Sequence, residues 1–397
     1  MTISSETVLP RIAQPAAALP IALGGMIAMA GAVGISRFVY TPILPVMAEA
    51  LHLSKSAAGL IASANFLGYL VGALLAALGS MPAPRRLWLV SALAASGVTT
   101  VAMGSVATVP AFMLMRFIGG AASAFVLVFA SALVFEWLAE ARRPHLAAVH
   151  FAGVGIGIIV SSIAISGGLA HGADWLSLWF AVGAIVLVSC LPVAGLIPAE
   201  PPPGFSRPAS GTAAPGAGLG WLIGAYGLFG FGYVISATFL VAIVRASPDM
   251  RSAEALVWLL VGLAATPSVL LWSRLAAAIG TRGAYSVACV AEAIGVAASV
   301  LWPTVGGAIL SAVLLGGTFM ALTSLGLAEA RAQAPTNPRP AMALMTAAFG
   351  LGQVIGPALA GFLSDLSGSY ELPSLLAAAG LIVGALIVQI RPANRAL

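Results

Sequence analysis

Charge is the scarcest thing in this sequence: Asp, Glu, Lys and Arg make up 7% of its 397 residues, where a soluble domain carries about a quarter. So few charges cannot cover a water-facing surface, and lipid must be the solvent for most of the chain. Lysine occurs only at Lys55, and no basic run is long enough to track a phosphate backbone. The net charge of +5 therefore does not point to nucleic acid. Cys190 and Cys289, the only cysteines, both fall in apolar runs, which excludes a disulfide framework. His52, His145, His150 and His171 lie at different loops and depths without ligand spacing, so neither a metal nor a cofactor is expected. There is no phosphate-cradling Gly-Lys-Ser/Thr loop, and the glycines at 153–157 sit in an apolar run without strand–turn–helix context. An ATP-driven pump is thereby disfavoured. No nucleophile, base or metal ligands converge, which argues against a membrane-embedded enzyme. A non-transporting receptor or scaffold would need a further soluble domain, for which the sequence leaves no room.

What is abundant is apolar: 60% of residues are hydrophobic, with 45 glycines and 25 prolines, and the mean hydropathy is +1.06. Glycine and proline inside long apolar runs suit closely packed, kinked membrane helices. A bilayer core of about 30 Å takes about 20 apolar residues per helix. That window finds spans near 18–45, 55–78, 87–107, 110–137, 146–170 and 175–196, then 220–244, 254–274, 283–301, 304–328, 341–365 and 372–390. The predicted fold is an all-α membrane protein of twelve transmembrane helices. Residues 1–17 read as a short cytoplasmic tail rather than a removed signal, and 391–397 as a second. Residues 18–196 and 220–390 form two six-helix bundles. Between them 197–219, with Pro201-Pro202-Pro203, reads as a cytoplasmic linker. With the N-terminus inside, only Lys55, Arg245 and Arg251 fall outside, Arg37 and Arg116 fall within spans, and every other arginine is cytoplasmic.

The two bundles repeat. Gly34 falls on Gly230, Gly119-Gly120 on Gly316-Gly317, Gly153 and Gly155 on Gly350 and Gly352, Arg85 on Arg282, Arg142 on Arg339, and Asp174 on Glu371. Six helices per repeat make the halves parallel, which places a binding site near the midplane between them.

At these positions the sequence resembles the major facilitator superfamily over nearly its whole length. Arg116-Phe117-Ile118-Gly119-Gly120-Ala121 is similar to the span-4 motif, and Gly350-Leu351-Gly352-Gln353-Val354-Ile355-Gly356-Pro357 to the glycine–proline motif, here in span 11. The loop Gly79–Arg86 keeps the basic pair Arg85-Arg86 and lacks the usual acid. Gly34–Pro45 and Gly230–Leu240 resemble the bacterial branch typified by YbfB and YjiJ. The resemblance implies alternating access in a secondary transporter of the bacterial inner membrane, acting as a monomer, with spans 1, 4, 7 and 10 lining the pathway. It supplies no substrate.

Intramembrane polar residues supply the candidates. Arg37, on one face with Gly34, Thr41 and Leu44 by helical spacing, suits an anionic group, or else snorkels or pairs with a helix end. Asn65 and Tyr69 in span 2, Tyr226, Tyr233 and Ser236 in span 7, and Gln353 in span 11 are candidates for the cavity wall, with interhelical bonding as the plainer account. Arg116 is either a coupling residue, as the resemblance implies, or an arginine bonded to backbone carbonyls. Glu136, His150, Arg85, Arg86 and Arg282 are coupling or gating candidates, and Glu292 lies midway along span 9. The leading expectation is transport of a small organic anion or amphipathic solute. Efflux of lipophilic or cationic compounds is the rival, and the coupling ion, a proton or none, is left open.

Overall fold

The computed structural model describes residues 18–77, 84–199, 218–334 and 338–390. Both predicted tails, most of the Gly79–Arg86 loop, most of the linker and the side chain of Arg339 lie outside the described residues. Twelve helical spans follow one another: α1 (Ala18–Leu51), α2 (Lys55–Ala77), α3 (Arg85–Met103), α4 (Val109–Glu140), α5 (Ala147–Ala170), α6 (Trp175–Leu196), α7 (Leu219–Ala246), α8 (Glu254–Ile279), α9 (Thr281–Leu301), α10 (Val305–Gln333), α11 (Pro338–Ser367) and α12 (Glu371–Ile387). Eleven are long and apolar enough to cross a bilayer, and α12 is a shorter apolar helix. A helix satisfies its own backbone, which is why long apolar segments with no water to bond to fold this way. We call the end of the bundle near the α6–α7 linker the linker face, and the opposite end the distal face.

Where the ends meet water, capping is conventional. Asp174 accepts from the Ser177 amide at 2.9 Å to start α6, and Thr304 accepts from the Gly307 amide at 3.3 Å to start α10. His52, at φ 51°, turns the chain out of α1.

Span 1 is longer than its predicted 18–45 and is not regular. Ala30–Arg37 is a π-helical stretch, where Phe38 N–H reaches back five residues to the Val33 carbonyl at 3.3 Å. Wider turns change the angular step per residue, so the face expected from 3.6-residue spacing is not kept. Gly34 packs on the Gly157 backbone of α5, Arg37 reaches α11, and Thr41 donates to the Ala237 carbonyl of α7.

Within the first half, α2 and α4 touch backbone to backbone. A Cβ on Gly68 would sit 1.9 Å from the Phe117 carbonyl oxygen, and one on Gly120 1.9 Å from that of Asn65, so only glycine allows this approach. The halves meet chiefly along the helix pairs α1–α7, α2–α11 and α5–α8.

On the distal face α2 and α11 cap each other. Asp365 of α11 accepts from the amides of Lys55 at 3.0 Å and Ser56 at 2.8 Å, and from the Ser56 hydroxyl at 2.5 Å. In return the Lys55 ammonium donates to the carbonyls of Ser364 at 3.2 Å and Gly368 at 2.8 Å, with the Tyr370 ring beneath it at 5.0 Å. Burial pushes the Tyr370 phenol up to about 12. Nearby, Arg245 of α7 lies 3.5 Å from Glu49 of α1 and 3.1 Å from Glu254 of α8. These ties hold the distal side of the two halves together.

Candidate functional site

The site is centred on Arg37, which leaves the π-helical stretch with only 5% exposure. At bilayer depth an arginine costs roughly 2.5–3.5 kcal/mol on insertion scales. Aromatic faces offset this: the guanidinium carbon is 4.0 Å from the Tyr69 ring centroid and 4.9 Å from that of Phe66, both on α2. A desolvated cation–π contact is worth about 2 kcal/mol. Arg37 Nη2 then donates across the half-to-half boundary to Gln353 Oε1 at 3.1 Å. The Gln353 amide nitrogen in turn donates to the Tyr233 hydroxyl. Guanidinium, carboxamide and phenol thus form one line through both halves.

Two donors on that line are left over. Arg37 Nε is buried without a partner. Tyr233 accepts from Gln353, so its own O–H is free to donate. Behind Tyr233 stand aromatic rings: Phe349 at 5.7 Å and 3°, Phe319 at 5.9 Å and 8°, and Phe229 at 5.0 Å and 29°.

Arg116 lies beneath and faces backbone. It donates to the carbonyls of Ser36 at 3.1 Å and Arg37 at 3.0 Å, and stacks 5.0 Å over Tyr40. The wide turn explains why: the Thr41 amide bonds to Phe38 at 3.2 Å and not to Arg37 four residues back. Arg116 therefore fixes the irregular backbone from which Arg37 projects. No carboxylate pairs with either arginine among the described residues. The site carries uncompensated positive charge.

Of the predicted residues, Arg37, Tyr69, Tyr233 and Gln353 come together. Thr41 bonds to the α7 backbone, and Asn65 donates to the Arg116 carbonyl at 2.9 Å. Tyr226 stacks on Phe349 at 5.0 Å and donates to the Thr323 carbonyl at 3.2 Å. Ser236 is buried with an unpartnered hydroxyl. The gating candidates lie apart, toward the linker face. Arg85 pairs with Glu136 at 2.7 Å, and Arg282 with Glu329 at 2.6 Å, one such pair in each half. Arg86 donates to the Ile197 carbonyl at 3.3 Å. His150 is fully buried, 3.0 Å from the Ser131 hydroxyl and edge-on to Phe135 and Phe151. Phe66, Phe229, Phe319 and Phe349 escaped the sequence reading, because a phenylalanine in an apolar run looks like any other lipid- or core-facing residue. Among the described residues no cluster of His, Cys, Asp or Glu able to hold a metal is present.

Twelve helical spans in two halves, packed around a buried polar site, are the arrangement of a transporter of the major facilitator type. The chain belongs to the family described as uncharacterised MFS-type transporter YbfB, whose model matches residues 29–389. No curated protein matches it. Among solved structures it is similar to the nucleoside transporter NupG, at 14% identity and a TM-score of 0.70, covering 94% of this chain and 98% of that one. A point mutant of NupG aligns with a TM-score of 0.72 at 14% identity, covering 93% and 98%.

Proposed function

We propose that this protein is a secondary active transporter that moves a small organic anion across the bacterial inner membrane by alternating access, as a monomer. The linker and both termini face the cytoplasm, so the capped distal face is external and the described conformation is closed to the outside. The observation that carries the reading is the buried pair Arg37 and Arg116, which no carboxylate among the described residues accompanies. A site with surplus positive charge and free donors, Arg37 Nε and Tyr233 O–H, favours a carboxylate or phosphate. The aromatic faces of Tyr69 and Phe66 accommodate an apolar or planar remainder, which fits an amphipathic solute.

Those same rings support a second reading, efflux of lipophilic or cationic compounds, with Arg37 purely structural. The nucleosides named for NupG are neutral ring solutes and belong in the same test. Thermal-shift screening of the purified protein against carboxylates, nucleosides and lipophilic cations separates these readings. A charged hydrogen-bonded contact is worth about 1.5–3 kcal/mol, so Arg37→Gln should weaken a bound carboxylate by about 10- to 150-fold. Unchanged affinity in Arg37→Gln, or stabilisation by cations alone, overturns the anion assignment.

A further inference from the structure

Glu292, midway along α9, is fully buried, and among the described residues neither carboxylate oxygen has a hydrogen-bond partner. An ionised carboxylate at this depth would lose its hydration and gain nothing in return. The surroundings are arranged for a neutral acid. Thr318 of α10 faces the carboxyl, but its one hydroxyl proton is already given to the Leu314 carbonyl at 2.6 Å. Its oxygen can only accept, and a protonated carboxyl is the partner that can donate to it. One turn along α9, Gly295 brings α10 in close, since a Cβ there would lie 2.8 Å from Leu314. The α9–α10 seam continues toward the distal face through the buried hydroxyls of Ser311, which has no partner, and Ser299.

Among the described residues no cation pairs with it. On its own helix the neighbouring titratable groups are Tyr285 and Cys289. Of the helices packed on α9, namely α7, α8, α10 and α12, only α7 brings titratable side chains to this depth, Tyr226 and Tyr233. The charged residues of the other three stand at helix ends: Glu254 and Arg274, Glu329 and Arg331, and Glu371. Tyr233, which belongs to the Arg37 line, is within electrostatic reach of Glu292.

We propose that Glu292 is a proton-binding site of this transporter, holding a proton in the distally closed conformation and exchanging it with solvent. On release the carboxyl O–H bond breaks and the proton passes to water reaching the seam, leaving a carboxylate. This rests on the alternating-access reading, because the seam must be wetted in another conformation for the exchange to occur.

The test is a pH titration of the purified protein in membranes by difference infrared spectroscopy, with no ligand added. The wild type should show the carbonyl stretch of a protonated buried carboxyl that falls reversibly as pH rises. Glu292→Asp should shift that band and Glu292→Gln should abolish it; the Asp variant secures the assignment if the Gln variant misfolds. A Glu292 band identical at every pH, or no band assignable to Glu292, overturns the proposal. A flat titration beside intact Arg37-dependent anion binding rejects the proton site alone. A normal titration beside no anion binding rejects the substrate class alone.

Discussion

Removing the Asp365 carboxylate should open the distal face. That group caps the first turn of α2 from the opposite half through three acceptor bonds, at 3.0, 2.8 and 2.5 Å. N-caps are worth about 0.5–2 kcal/mol. Asp365 is exposed, so water replaces part of what is lost, and about 1–2 kcal/mol is the working figure for Asp365→Ala. At 1.4 kcal/mol per decade the ratio of distally open to distally closed molecules rises about 5- to 30-fold. The change biases an equilibrium and leaves each half intact, because the bond partners belong to different halves. Spin labels at Leu60→Cys on α2 and Leu366→Cys on α11, in a Cys190→Ala background, would report it as growth of a longer-distance population. Asp174→Ala is the internal control: it removes an equivalent cap on α6, but one whose donor, Ser177, lies in the same half. An unchanged distance distribution in Asp365→Ala, or an equal change in Asp174→Ala, would refute the account of Asp365 as a tie between halves.

Arg116→Ala should lower thermal stability, because two buried carbonyls lose their donors at about 1–3 kcal/mol each; an unaltered unfolding temperature would mean the wide turn of α1 needs no brace. Gly120→Ala and Gly361→Ala test packing in two places, since their Cβ atoms would meet the Asn65 oxygen at 1.9 Å and the Lys55 oxygen at 2.3 Å. The first should destabilise the N-terminal half, and the second should open the distal face as Asp365→Ala does, both readable by unfolding and by the same spin labels. The hydroxyl and amide of Ser177 hold the Asp174 carboxyl below the usual carboxylate range. Its folded value is depressed, so the cap's contribution is complete above the unfolded value of about 3.9 and fades as pH falls through the lower folded one. A carbon-13 titration of labelled aspartates, assigned with Asp174→Asn, should give a midpoint below about 3.9; a midpoint at or above that value contradicts the geometry.

The apolar runs and the repeat made the twelve spans and their pairing into halves legible, because lipid imposes both length and composition. Arg37, Tyr233 and Gln353 stood out for the same reason, each being a polar group in a costly place. The sequence did not show that they touch. Arg37 and Gln353 are 316 residues apart, and no period links them. The π-helical stretch was also hidden, since Gly31 and Gly34 look like ordinary packing glycines. Lys55 and Asp365 are ordinary surface charges until the two halves are brought together, 310 residues apart. The aromatic wall was hidden by camouflage, phenylalanine among apolar neighbours.

The last helix has a consequence for the lipid. With 17 residues, α12 rises about 25 Å, short of a hydrocarbon layer about 30 Å thick. Leu376, Ile382, Val383 and Leu386 are exposed along it. Thinning of the bilayer by a few ångströms along this edge would meet the mismatch, at a cost of fractions of a kcal/mol per ångström. Shorter acyl chains would relieve that cost, so they should gather beside α12.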